Sequence, residues 1–132
     1  MLTKEEKLKL LNDTIEYYCN NPRSIDYVTK YCKYFGKNGE RCAFSRIITK
    51  PEAIEELKKH EGLGCGNSSI EKVYHLEGLA WEDKIFYQKI QQLHDFEAHW
   101  VDISDNKREL TRNGINHVSY IKDYIEDIIN LG

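Results

Sequence analysis

No stretch of this 132-residue chain holds about 20 consecutive apolar residues, the length that a bilayer-spanning helix needs. The opening MLTKEEKLKLLND is charged from Lys4 onward and lacks the apolar centre of a secretory signal. The expectation is a cytoplasmic protein with reduced cysteines. The four cysteines, Cys19, Cys32, Cys42 and Cys65, contain no C-x2-C knuckle, the tight turn that lets two zinc ligands converge. P-loop, G-x-G-x-x-G and G-x-S-x-G patterns are also missing, which removes the common phosphate, dinucleotide and serine-hydrolase signatures. There is no internal repeat, low-complexity tract or linker.

What is present is the composition of a globular protein, 40% hydrophobic and 31% charged. The length fits one domain, which buries roughly two thirds of its unfolded surface. The net charge of −3 is unevenly spread. Residues 1–50 carry ten Lys/Arg against six Asp/Glu, and residues 51–132 carry nine against sixteen. A dense basic stripe is absent, which argues against a nucleic-acid partner.

Thr3 and Glu6 form a capping box ahead of Leu8, Leu11, Ile15 and Tyr18 at helical spacing. They predict a helix over 4–20, stopped by Asn20, Asn21 and Pro22. Thr49–Glu52 repeats the box with a proline in the first turn and predicts a helix over 51–60. EGLGCGN at 61–67 reads as a loop, and a short helix near 69–77 closes at Gly78. Trp81, Ile85, Ile90, Leu93, Phe96 and Trp100 suggest one long helix over 81–100 with a broad apolar face. Residues 101–114 are polar and partly helical at most. A last helix over 114–130 follows from Ile115, Val118, Ile121, Ile125 and Ile128.

Between these helices, YCKYFGKNGERCAF reads as a β-hairpin with strands at 27–35 and 40–45. A two-residue Asn38-Gly39 turn sets Cys32 and Cys42 on opposite faces. A three-residue Lys37-Asn38-Gly39 loop, with Gly39 in the left-handed region, sets them on one face. The second register gathers Cys32, Tyr34, Cys42 and Phe44 on one side, so burial selects it. CAFSRII also suits the start of a short helix. The fold class expected is α+β, mostly helical, with about five helices and one small hairpin.

Three groups of residues could carry chemistry. A zinc site could draw on Cys32, Cys42 and His94, although buried reduced cysteine is the more ordinary role. His94 and His99 stand five apart, about 140° around a helix, so one helix face cannot offer both to one ion. Cys42, His94 and Asp95 together have the residue types of a thiol nucleophile, its base and an orienting carboxylate. Tyr17, Tyr18 and Arg23, with Lys33, Tyr34, Arg41 and Arg46 from the hairpin, could line a recess for a small anionic ligand, a phosphate or carboxylate. Their ordinary role would be to cover the hairpin edge.

YYCNNPRS followed by CKYFGKNGERCAFSRII resembles a group of small bacterial and phage proteins to which no activity is assigned. The group's pattern is a Tyr-Tyr helix end, a D-P-S-R-like turn, then C-x-Y…G-x-x-C-A-x-G-x-[LI]-[LI], and later L-Q-x-x-H-D. Tyr17, Tyr18, Pro22 and Arg23 fit the first part. Cys32, Tyr34, Gly39, Cys42, Ala43, Ile47 and Ile48 fit the second, and Gln91, His94 and Asp95 the third. Ser45 stands where the pattern has glycine, and Ile90 where it has leucine. The resemblance implies a setting, phage or mobile bacterial DNA, rather than a chemistry. The leading expectation is a non-enzymatic binding protein that engages a host protein or small ligand, with interference in a bacterial defence system as one such role. The alternative is a small enzyme or zinc-site protein built on Cys32, Cys42, His94 and Asp95.

Overall fold

A computed structural model of the chain describes residues 1–25 and 33–131, with side chains up to Asp127. Helix α1, Lys4–Asn20, starts at the capping box: Thr3 Oγ1 accepts from Glu6 N and Glu6 Oε1 accepts from Thr3 N, both at 3.1 Å. Helices α2, Ala43–Ile47, α3, Pro51–Lys58, and α4, Glu71–Glu77, follow. Gly78 ends α4 in the left-handed region at φ 86°, which favours a residue without Cβ. Next come α5, Lys84–Asp95, strands β1, Trp100–Ser104, and β2, Lys107–Leu110, and finally α6, Arg112–Leu131. Short 3-10 turns lie at Ser68–Ile70, Trp81–Asp83 and Glu97–His99. Among the described residues the architecture is a mostly helical α+β fold with one antiparallel hairpin.

The core lies where α5 meets α1, α2, α4 and α6. Leu11, Phe44, Leu57, Ile70, Phe86, Ile90, Leu93 and Ile121 are all fully buried. An aromatic cluster joins three elements, with Phe44 5.3 Å from Tyr74 and 5.9 Å from Tyr87 between ring centres. Rings at these separations add packing energy beyond their buried area. One ion pair is also buried: Lys7 Nζ lies 3.8 Å from Asp83 Oδ1, and Asp83 Oδ2 accepts from Leu2 N at 2.9 Å.

Several expectations change. No second strand forms over 40–45, as the hairpin expected at 27–35 and 40–45 would require. Residues 26–32 lie outside the described residues, Phe35 and Arg41 form one isolated bridge, and α2 occupies 43–47. That bridge, with Gly36 N donating to Glu40 O at 2.7 Å and Gly39 at φ 88°, is the three-residue loop. The helix wins because Cys42 caps it, its Sγ accepting from Ser45 N. The hairpin instead forms at 100–110 around Asp105-Asn106, with Val101 opposite Glu109 and Asp102 opposite Arg108.

The helix expected over 81–100 is shorter at both ends. Ile85 and Phe96 are 41% and 54% exposed, while Ile90, Leu93 and Trp100 are buried. Arg112 begins the last helix two residues early, and Ile115 is exposed. Thr49 does not cap α3; the Glu77 carboxylate accepts from Thr49 N and Lys50 N at 2.8 Å instead. A long-range carboxylate thus replaces the local hydroxyl.

Candidate functional site

Helix α5 stops at Asp95 because groups from elsewhere take its last carbonyls, which have no partner within the helix. Leu93 O accepts from Trp100 Nε1 at 2.9 Å and lies 3.1 Å from His99 Nδ1. His94 O and Asp95 O accept from Arg23 Nη1 at 2.9 and 3.1 Å. A cation at a helix C-terminus is also favoured by the helix dipole. This is how the NPRS turn after α1 comes to sit on the end of α5.

That contact builds a hydrogen-bonded chain. Ser24 N donates to His94 Nε2 at 3.0 Å, so Nε2 carries the lone pair and the ring proton sits on Nδ1. Nδ1 then donates to Asp95 Oδ1 at 2.8 Å. Gln91 Nε2 donates to the same oxygen at 2.9 Å, and Gln91 Oε1 accepts from Phe44 N at 2.8 Å, at the start of α2. His94 is fully buried and its ring stands edge-on to Tyr18, 4.8 Å between centres. Burial pushes its pKa below the ordinary value, against the opposing pull of the Asp95 hydrogen bond and charge. The imidazole is therefore neutral and fixed in one tautomer.

Cys42 is fully buried, with its Sγ at 3.5 Å from both Ser45 N and Ser45 Oγ. Nearby Cys65 is buried as well, and burial, followed by the neighbouring Cys42 and Asp95, drives its thiol far above the ordinary range. A thiol in that state is a poor nucleophile. Cys32 lies outside the described residues, so the expected Cys32–Cys42–His94 set has no geometry to describe. Among the described residues, no three His, Cys, Asp or Glu side chains are grouped to hold a metal ion.

Of the seven residues expected to share one anion recess, four are divided among three separate recesses. Arg23 lines the first, about 270 Å³, with Ile25, Asp95, Glu97, Asp102 and Arg108. Tyr34 lines the second, about 310 Å³, with the Gly62–Cys65 loop, Gln91 and Asp95. Tyr17 and Arg46 line the third with Asp13, Glu16, Asn20 and Asn21. There the Arg46 guanidinium lies 3.6 Å from the centre of the Tyr17 ring, a cation–π stack.

Tyr18 is buried in the core, its hydroxyl donating to Arg41 O at 2.5 Å. Arg41 itself lies 5.0 Å from the Phe35 ring centre and reaches the Ile48 carbonyl at 3.4 Å. Tyr34 is buried and donates its hydroxyl to Leu63 O. Lys33 is half-buried, its backbone N donating to Ser24 O at 3.0 Å. Tyr17, Tyr18, Arg41 and Arg46 thus stay together at the α1–α2 contact, while Arg23 joins His94 and Asp95.

Asp95 borders two of the recesses, which makes it the centre of the site. Gln91, Glu97, Asp102 and Arg108 were not among the residues expected to line it. The four-residue spacing of Gln91 and Asp95 is a helical pair and could have been found. Asp102 and Arg108 become neighbours only once the hairpin register is known, with Nε 3.4 Å from Oδ1. Arg108 Nη1 also donates to Tyr18 O at 3.0 Å and to Asn21 O, closing the end of α1. Comparisons with protein-family models, curated proteins and solved structures give no match to this chain.

Proposed function

We propose that the chain is a non-enzymatic binding protein of a phage or mobile-DNA setting, which engages a host protein or a small ligand at the charged recess beside Asp95. The observation that carries this is the division of labour around Asp95. The groups with reactive potential act as fasteners: His94 bonds Ser24 and Asp95, and Cys42 bonds Ser45 at a helix cap. The open recess beside them is lined by charged side chains, which suits recognition by charge and hydrogen bonding.

A thiol enzyme on Cys42, His94 and Asp95 would want a sulfur that donates to the imidazole. The contacts to Ser45 and Ser24 favour the binding reading over it. A purely anionic ligand would meet Arg23 and Arg108, but also three carboxylates. Interference with a bacterial defence system fits the setting.

The test immobilises the protein in host extract and analyses both proteins and small molecules retained. A species retained by the native protein and lost by a Glu97→Gln, Asp102→Asn double variant supports the proposal. Equal retention by both would move the site elsewhere.

A further inference from the structure

The charges lining the 270 Å³ recess are only partly cancelled against each other. Arg108 is engaged with Asp102 and with the carbonyls of Tyr18 and Asn21. Arg23 uses Nη1 on two carbonyls, which leaves its Nε and Nη2 without a partner among the described residues. Asp95 Oδ1 takes two donors, and Oδ2 takes none among the described residues. Glu97 is exposed, and its carboxylate likewise has no hydrogen bond among the described residues, although its backbone carbonyl accepts from Trp100 N. The wall therefore offers a guanidinium edge and, beside it, carboxylate oxygens still open to a donor.

A molecule with one charge fits this badly. A lone carboxylate would gain Arg23 but face Asp95, Glu97 and Asp102. A lone ammonium would gain those three and leave the Arg23 edge unmatched as water is displaced. A molecule carrying both groups satisfies both, and charge-assisted hydrogen bonds are the strong ones. The volume is just under the ~300–1,000 Å³ of drug-sized pockets, so the fitting ligand is small. We infer that this recess binds a small zwitterion of the α-amino-acid type, its carboxylate on the free edge of Arg23 and its ammonium among Asp95, Glu97 and Asp102. The inference rests on the binding function proposed above and names its ligand class.

Titration calorimetry of the purified chain tests it with free α-amino acids, their N-acetyl derivatives and their methyl esters. Millimolar or tighter binding of at least one free amino acid is expected. Removing either ligand charge should weaken binding about tenfold or more, the scale of one charge-assisted hydrogen bond. Glu97→Gln should weaken it similarly at nearly unchanged melting temperature, because the substitution keeps the Glu97 carbonyl that Trp100 N bonds and the Glu97 side chain is exposed. Arg23→Lys tests the other end, with the melting temperature as its control.

Equal binding of the acetylated and free forms would overturn the inference, since the site would then read a carboxylate alone. So would binding of no free amino acid. Native mass spectrometry of the protein from host extract separates the two levels. A retained ligand of different chemistry sinks the zwitterion and leaves the binding function standing. No retained molecule or protein sinks both.

Discussion

The backbone N–H of Ser24 donates to the Nε2 of His94 at 3.0 Å across 70 residues of sequence. This bond fixes the histidine tautomer, and with it the direction of the His94–Asp95 hydrogen bond. It ties the turn after α1 to the end of α5.

Acid should loosen the protein through His94. Burial holds its pKa below the ordinary 6.5, and His117 is lowered for the same first reason. A depressed histidine stabilises the fold above the unfolded-state value, and that contribution is lost as pH falls below it. Melting temperature should therefore decline below a pH of about 6.5. His94→Gln should melt lower at neutral pH and show a shallower acid decline. Parallel curves for the two proteins would remove His94 from the account.

Leu93 is fully buried in α5, whereas Ile85 is 41% exposed. Leu93→Ala should cost roughly 2–5 kcal/mol in denaturant unfolding. Ile85→Ala should cost less than about 1.5 kcal/mol, because its side chain keeps much of its contact with water. Similar losses at both positions would mean that the apolar face is wrongly placed.

The Lys7–Asp83 pair sits with both side chains almost fully buried. Lys7→Ala leaves Asp83 without its cation and should cost about 3–5 kcal/mol. Lys59→Ala, which removes an exposed partner of Glu56, should cost under ~1 kcal/mol. The two unfolding free energies decide the matter directly.

Much of this fold was legible and the rest fails for identifiable reasons. The start of α1 was readable because Thr3, Glu6 and the apolar spacing all act within one helix. The end of α5 was not, because Arg23 and Trp100 stop it from distant positions. The strand expected at 40–45 does not form, although Asn38-Gly39 is the stronger turn signal, because Cys42 caps a helix immediately after it. The alternation of Val101 and Ile103 about Asp105-Asn106 was the signal overlooked, since these apolar residues face outward. His94 and Asp95 were readable as candidates from residue type. Their partners Ser24 and Gln91 follow only from tertiary contacts.

Thiol labelling of the native protein should follow exposure. Cys19 is half-buried, whereas Cys42 and Cys65 are buried. Cys19 should react well before the other two, even though burial raises its own pKa. Peptide mapping after a short exposure to a maleimide identifies the order. Cys42 reacting first, with loss of that reactivity in His94→Ala, would favour the enzyme alternative.

Whether the recess beside Asp95 is a binding site is decided by native mass spectrometry of the protein recovered from host extract. A stoichiometric small molecule or host protein is expected on the native chain, and its loss from the Glu97→Gln, Asp102→Asn variant at unchanged fold. A bare chain from every extract, or a ligand that both proteins hold equally, would contradict it.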